Sequence, residues 1–339
     1  FFALTFHGAA DIINAIKNYQ ERGVFSTVRV SYDGRSEKKT AIRMGKPHIL
    51  FITTDEQHMR TLSCYGATAG CTPELDALAR RSEVYENAYS VSPVCLPSRC
   101  AWMTGLYPHV SGSICNAYGA SLSKEFPNLF TELKKQGYRT ALHGKCHFIP
   151  VPYPATRPDM TLEYEHFIAY YRSLGMDALT LQDDKNNSLW YYDDYAKTLA
   201  KKDMLTTCRY EAHVNPENHG YYDFPFEAEM HPDAWTGSRA IEDIEHCDSS
   251  RPNFIWVSFS GPHYPVDTPR SYTDRIDTAK MGVFSVRTNG TTKANTITAA
   301  TTVPEPRREV RKPKTARRRI IARNTGKAGG GAILATLRS

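Results

Sequence analysis

Short apolar runs that are each followed by polar, chemically reactive residues constrain the fold of this chain more than any other feature. The run His48-Ile-Leu-Phe-Ile-Thr-Thr54 is apolar and β-branched, which is typical of a strand buried on both faces of a parallel sheet. Segments 138–142 and 254–259 predict two further strands, and helical patterns occupy 72–81 and 128–136. This alternation predicts an α/β domain with a mostly parallel sheet and helices on both faces.

The residues just past these strands are the first candidates for a functional site, because chemistry in such folds collects beyond the carboxyl ends of the strands. Asp55 and Glu56 follow the first strand, 144–147 follows the second and 261–265 follows the third. Two adjacent carboxylates can hold a hard divalent cation, although the pair taken alone is better explained as a solvated acidic turn.

A further candidate is the segment Cys95-Leu-Pro-Ser-Arg99. Pro97 can begin a helix and Gly105 can end it. A side chain at a helix N-terminus faces the positive end of the helix dipole, which suits a nucleophile that acts on a tetrahedral anion. Arg99, one turn later, can reach the same place. Without other support, Cys95 would simply be one more buried thiol.

These segments together resemble the sulfatase family. Cys95–Arg99 matches the family's C-x-P-S-R signature, and the resemblance covers roughly residues 47–277. The other matching segments are the flanks 84–89 and 104–108, Gly144-Lys-Cys-His147 (similar to the G-K-x-H signature) and Pro262-His-Tyr-Pro265 (similar to the P-H-x-P element).

The resemblance implies a fold, an activity and a cofactor. The fold would be alkaline-phosphatase-like, and the activity would be hydrolysis of a small-molecule or saccharide sulfate ester. Cys95 would be converted to formylglycine by a separate maturing enzyme. A divalent metal, Ca²⁺ or alternatively Mg²⁺, would be held by Asp55, Glu56 and the modified Cys95.

The resemblance also implies roles for the remaining candidates. Lys145 and Arg99 would offset oxyanion charge, His147 would serve the aldehyde hydrate, and His263 or a lysine would protonate the leaving oxygen. Each has a structural alternative: Lys145 as a surface lysine, His147 as a satisfied polar residue, and His263 as a turn residue between two prolines.

One part of the family pattern is missing. Sulfatases use a later Asp followed by Asn or His to complete the metal site, and no Asp follows Asp277 in this sequence. We therefore predict a sulfatase-like domain at 46–277 that is incomplete at its C-terminus. The alternatives are a phosphonate or phosphate ester hydrolase of the same superfamily, an inactive truncated relative, or a binding protein with a basic tail.

The two ends of the chain differ from this domain. Residues 1–45 read as an appendage with a helix at 9–23 and a β-rich piece at 25–32. Residues 278–339 carry 14 Lys and Arg against 2 Asp and Glu, which leaves a net charge of −6 for the rest of a chain whose total is +6. Such a tail is disordered, aberrant in origin or an arm for anionic surfaces. The acidic body argues against nucleic-acid binding.

The remaining expectations concern compartment and substrate. Eight scattered cysteines lack zinc-site spacing and predict free thiols. No apolar stretch approaches the ~18 residues of a membrane span, and residues 1–10 do not resemble a signal peptide. We predict a cytoplasmic protein. Residues 150–250 are rich in Tyr, Asp and His and read as an insertion that recognises the substrate.

Overall fold

The computed structural model describes residues 46–281, except 71, 118–119, 151–164, 186–187 and 192, together with three short strands outside that range. The chain divides into two units, residues 1–282 and 283–339. The helix predicted at 9–23 and the β-rich piece predicted at 25–32 lie outside the described residues.

A five-stranded sheet forms the centre of the first unit. Its strands are β1 (Phe2–Phe6), β2 (His48–Thr53), β3 (Arg139–Gly144), β4 (Ala178–Leu181) and β5 (Asn253–Ser258), in the order β1-β2-β5-β3-β4. The four strands β2 to β5 are mutually parallel, and β1 runs antiparallel to β2 at one edge. This confirms the predicted α/β fold with a mostly parallel sheet.

The register of this sheet places three strand ends side by side. Thr53 of β2 pairs with Ser258 of β5, and Ser258 pairs with Gly144 of β3. The segments that follow these strands therefore leave the sheet at one edge, where the sequence predicts the functional residues.

Helices cover the sheet and connect its strands. They are α1 (Pro73–Ala79), α2 (Cys95–Thr104), α3 (Pro108–Ser111), α4 (Leu129–Lys135), α5 (Glu165–Ser173), α6 (Ser188–Tyr191), α7 (Asp194–Lys201), α8 (Leu205–Arg209), α9 (Pro232–His246) and α10 (Arg270–Thr273). Short 3-10 turns occupy Met59–Thr61, Ser63–Tyr65, Ala228–Met230 and Thr278–Lys280, and a π-helical turn occupies Tyr210–Val214.

Local sequence signals explain where these helices begin and end. Asn128 caps α4 by accepting from the Thr131 N–H at 3.1 Å, and Thr131 caps Asn128 in return. Gly105 ends α2 in the left-handed conformation with φ +70°. Thr72 occupies the N-cap position of α1, but its hydroxyl accepts from the Ser63 N–H instead of capping a backbone N–H of the helix.

The hydrophobic core lies on both faces of the sheet. On one face, Trp256 is fully buried and packs against Phe130 of α4 with ring centroids 6.2 Å apart. On the other face, Ile255 of β5 packs with Ala240 and Ile244 of α9. Alternate residues of β5 thus point to opposite faces, as its continuous apolar sequence predicts.

Residues 150–250 were predicted to be an insertion outside the sheet, but they contribute one of its strands. Their strand β4 pairs with β3 in parallel register, Leu142 with Leu179. Four residues are too few to display a period in the sequence. The described part of the region also contains a second buried cluster that includes Tyr195, Leu199, Cys208 and Trp235.

The C-terminal region begins as part of the first unit. The Asp277 N–H donates to the Ala69 carbonyl at 2.8 Å, and the Thr68 hydroxyl donates to the Lys280 carbonyl at 3.1 Å. In the second unit, β6 (Ser285–Thr288) and β7 (Thr291–Ala294) pair antiparallel, a hairpin that composition did not predict.

Two further expectations concern the described residues. All seven cysteines among them are free thiols, as predicted. None of the helices the structure describes combines the length and the apolar character needed to cross a bilayer.

Candidate active site

The predicted site residues converge at the edge where β2, β3 and β5 end. Asp55 follows β2, Lys145 and His147 follow β3, and His263 follows β5. Helix α2 carries Cys95 at its first position, so that the sulfur faces the same place. The segments after β2 and β5 are joined by a hydrogen bond from the Asp55 N–H to the Gly261 carbonyl at 3.0 Å.

A buried ionic cluster forms the floor of the site. The Lys145 ammonium lies 2.5 Å from Asp55 Oδ2 and 3.1 Å from Asp184 Oδ2, and the side chain is fully buried. Arg99 lies 3.5 Å from Asp55 Oδ2. Its Nη1 also donates to the Lys145 carbonyl at 2.7 Å and to Ser258 Oγ at 2.8 Å. Lys145 is therefore not a surface lysine.

The charges in this cluster fix one another's ionisation. Burial alone would raise the pKa of the Asp55 carboxyl, but the Lys145 and Arg99 charges outweigh it and lower this pKa to about 2. Burial alone would lower the pKa of the Lys145 ammonium, but Asp184 and Asp55 raise it above its ordinary value. Asp55 and Lys145 thus remain charged together in the interior.

Cys95 sits above this floor between two imidazoles. Its Sγ lies 3.9 Å from Asp55 Oδ1, to which the thiol donates, and hydrogen bonds from the His147 and His263 imidazoles would stabilise its thiolate. Burial alone would raise the pKa of the thiol, but these hydrogen bonds and the Lys145 charge lower it to about 6. Burial likewise would lower the pKa of His263, but its hydrogen bond with Cys95 raises it to about 9. At neutral pH the pair is a thiolate and an imidazolium.

The first turn of α2 has few N–H groups left for a ligand, although its position predicts the positive end of a helix dipole at Cys95. The helix begins at Cys95, two residues before Pro97, which has no N–H. The Leu96 N–H donates to Asn116 Oδ1 at 3.1 Å. The positive charge that faces Cys95 therefore comes mainly from side chains rather than from the helix terminus.

Sequence reasoning missed Asp183 and Asp184, which follow β4. Asp183 Oδ1 accepts from the backbone N–H groups of Cys146 and His147 at 2.6 and 2.9 Å, and its Oδ2 accepts from the Tyr171 hydroxyl at 2.8 Å. Asp184 pairs with Lys145. The signal was an acidic pair one residue beyond the end of β4, as Asp55 lies one residue beyond the end of β2.

A second ionic group lies behind this segment. Lys185 forms an ion pair with Asp267, and the His231 imidazole lies 3.2 Å from the same carboxylate. All three residues are buried. His231 belongs to the region predicted to recognise the substrate, but Asp267 holds it inside the fold.

Glu56 lies at the rim of the site rather than beside Asp55. It has φ +60°, its side chain is 56% exposed, and its Oε1 lies 3.6 Å from His263 Nε2. Donor atoms of Asp55, Cys95 and His263 lie within 4.8 Å of one another. Asp55 Oδ2 already faces Lys145 and Arg99. These residues fit a divalent cation as a partial ligand set, since calcium takes about 6–8 oxygen ligands.

Comparison with known proteins identifies the family. A family model described as Sulfatase matches residues 47–282. An arylsulfatase of Clostridium perfringens is 27% identical over 229 residues, which are 68% of this chain and 46% of that protein. A choline-sulfatase of Rhizobium meliloti is 28% identical over 233 residues, 68% of this chain and 41% of that protein.

The fold is also found among solved structures. The phosphonate monoester hydrolase of Agrobacterium radiobacter matches with a TM-score of 0.51 at 20% identity, over 68% of this chain and 44% of that one. The chain spans less than half the length of each of these relatives. The family model covers well over half of the chain and includes every predicted site residue, and on that basis the chain belongs to the sulfatase family.

Proposed function

We propose that this chain carries the nucleophile half of a sulfuric-ester hydrolase, with position 95 as the attacking residue after conversion of Cys95 to formylglycine. The observation that carries the proposal is that side chains following three different strands lie around one sulfur atom, Cys95 Sγ. Asp55, His147 and His263 all lie around it, and Lys145 lies directly below.

The chain's own residues have distinct tasks in this proposal. Position 95, as an aldehyde hydrate, would supply two hydroxyl groups on one carbon, one to attack sulfur and one to release the sulfate. His263, protonated at neutral pH, is placed to give a proton to the leaving oxygen. His147 shares the hydrogen-bonded contact with position 95 and is placed to take a proton from it.

The cations would bind the anionic sulfate. Arg99 is held by the Lys145 carbonyl and Ser258, so its guanidinium is fixed before substrate arrives. The positive charge of Lys145 is already partly balanced by the carboxylates of Asp55 and Asp184, so less of it is available to the sulfate. Both cations are therefore held in place by other groups of the protein before the sulfate binds.

A divalent metal, Ca²⁺ or Mg²⁺, would be held by Asp55, the oxygens of modified position 95 and Glu56 at the rim. When bound it would polarise the sulfate oxygens and lower the pKa of the attacking hydroxyl. Because these residues make a partial ligand set, water or residues other than these three would complete it.

The proposal is tested by co-expressing the chain with a formylglycine-generating enzyme. Mass spectrometry of the peptide that contains Cys95 should show the aldehyde, and the purified protein should hydrolyse an aryl sulfate. Turnover should disappear with a chelator and in Cys95→Ala, but persist in Cys115→Ala. Complete modification without turnover of any sulfate ester would instead support an inactive relative.

A phosphonate or phosphate ester hydrolase is the alternative function. The likeness to the phosphonate monoester hydrolase fold supports it, because sulfate and phosphonate esters are both tetrahedral anions. The ratio of kcat/KM for an aryl sulfate and an aryl phosphonate decides between them. The alcohol part of the ester is not specified by this site, and the named relatives already differ in it.

A further inference from the structure

The unmodified cysteine creates a donor set that differs from the one the matured residue would provide. The side chains of Asp55, Cys95 and His263 place one oxygen, one sulfur and one nitrogen within 4.8 Å of one another, the one such group among the residues the structure describes. Cys95 Sγ and Asp55 Oδ1 are 3.9 Å apart. Neighbouring ligand atoms of a tetrahedral zinc ion are separated by roughly 3.5 Å.

His263 is oriented as zinc-binding histidines are. Its Nδ1 lies 2.7 Å from the Tyr264 carbonyl oxygen, which can only accept, so Nδ1 carries the hydrogen. In the neutral ring the lone pair is then on Nε2, which faces the rim of the site 3.6 Å from Glu56 Oε1. A ligating histidine almost always donates its second nitrogen to such a partner.

The two carboxylate oxygens of Asp55 make different contacts. Its Oδ2 faces Lys145 and Arg99, and its Oδ1 faces the sulfur. A cation at the sulfur would therefore use Oδ1 without breaking the ion pair with Lys145. The carboxylates of Asp55, Asp184 and Glu56 and the thiolate would balance the added charge against Lys145 and Arg99.

We propose that the unmodified chain binds Zn²⁺ through Cys95 Sγ, His263 Nε2 and Asp55 Oδ1, with Glu56 or water in the fourth position. Binding forms bonds from zinc to the Cys95 sulfur and to His263 Nε2, and the proton that the imidazolium carries on Nε2 passes to water. Thiolate and imidazole favour zinc over calcium, whereas the oxygens of a formylglycine favour the harder ion. The ion would cover the sulfur that maturation must oxidise. This inference does not depend on the proposed hydrolysis.

Cobalt provides the test, because a cobalt–thiolate bond gives a charge-transfer absorption that calcium and zinc lack. The full chain is expressed without a maturing enzyme, treated with a chelator and titrated with Co²⁺. We expect one cobalt per chain, a near-ultraviolet sulfur-to-cobalt band, and loss of that band when Zn²⁺ is added. An excess of Ca²⁺ should leave the band unchanged.

Variants then assign the ligands. Cys95→Ser should abolish the band, Cys115→Ser should keep it, and His263→Gln should weaken Zn²⁺ binding at least tenfold. A band that persists in Cys95→Ser, or displacement by equimolar Ca²⁺, would overturn the proposal.

A second measurement needs no variant. Zn²⁺ should slow alkylation of Cys95 by iodoacetamide at least tenfold in the wild-type chain, read by mass spectrometry, while alkylation of Cys115 is unchanged. Equal rates at Cys95 with and without zinc would also refute it.

Discussion

Asp183 Oδ1 accepts a hydrogen bond from the backbone N–H of His147 at 2.9 Å, and His147 has φ +50°. A non-glycine residue in the left-handed region is strained and needs support from its surroundings. Asp183 supplies that support from the neighbouring strand end, and the neighbouring Cys146 N–H donates to the same oxygen. The imidazole that bonds to Cys95 is thus positioned by a residue outside the family signatures.

Alkylation of Cys95 should follow the ionisation of its thiol. Because its pKa is lowered to about 6, the rate of iodoacetamide modification should rise to a plateau with a midpoint near pH 6. Burial raises the pKa of Cys100 to about 11, so that residue should stay unmodified over the same range. The measurement is peptide mass spectrometry after timed labelling with a chelator present. A Cys95 midpoint near pH 9 would show that the imidazoles do not stabilise the thiolate.

Asp183→Asn should move this midpoint upward by about half a unit. A neutral amide accepts weaker hydrogen bonds than a carboxylate, so His147 would be held less firmly against the sulfur. Asp177→Asn is the matched control, since Asp177 accepts the Thr140 N–H at 3.0 Å near the opposite end of β3. Equal midpoints in both variants and the wild type would mean that Asp183 does not position His147.

Lys145→Met should lower the free energy of unfolding by about 3 kcal/mol, because it leaves two buried carboxylates without their shared cation. Lys135→Met removes a lysine that is 66% exposed and pairs with Glu132, and it should change stability by less than about 1 kcal/mol. Urea unfolding followed by circular dichroism gives both values. Similar losses in the two variants would contradict a buried ionic floor.

Asp243 of α9 should make the free energy of unfolding depend on pH in the acidic range. It forms ion pairs with Arg139 and lies 3.2 Å from His143 Nε2. Burial alone would raise its pKa, but these neighbours lower it to about 2, from an ordinary value of 3.8. Its stabilisation is therefore complete above about pH 4 and is lost as the pH falls through 2.

Asp243→Asn should then destabilise the protein by about 2 kcal/mol at pH 7 and by almost nothing at pH 2. Glu242→Gln, on the same helix and paired with Arg239 at the surface, should cost less than about 1 kcal/mol at either pH. Urea unfolding at pH 7, 4 and 2 provides the comparison. A constant difference between Asp243→Asn and wild type across this range would be inconsistent with the lowered pKa.

Gly144→Ala should prevent stable folding, since a Cβ there would lie 2.0 Å from the Ser258 carbonyl oxygen. Gly137→Ala is the matched control: its φ is also positive, at +86°, but a Cβ would meet nothing within 4 Å. It should cost about 1 kcal/mol through backbone strain alone. Soluble yield and melting temperature distinguish the two. Equal stability of both variants would show that the contact between β3 and β5 can relax.

The strands before each signature could be predicted because their apolar residues are continuous. Three predicted strands are present in the structure, and their ends lie within one or two residues of the predicted bounds: His48–Thr53, Arg139–Gly144 and Asn253–Ser258. The rule that chemistry follows strand ends then located Asp55, Lys145 and His263 correctly relative to one another. Composition alone could not have done this.

What the sequence could not predict depends on contacts between distant segments. Asp184 approaches Lys145 only because β4 pairs with β3, and β4 is too short to be detected. Glu56 follows Asp55 directly, yet its φ of +60° directs it to the rim. Adjacent positions in the sequence therefore do not establish that two carboxylates share a ligand.

The order of the strands has a consequence for how this molecule forms. Thr53 and Ser258 are partners in adjacent strands although they are 205 positions apart in the chain. Such topologies have a high contact order and fold slowly, over milliseconds to seconds in small proteins. Lys145 can leave water only after both flanking segments have docked. The buried ion pairs of the site therefore form only when segments far apart in the chain have come together.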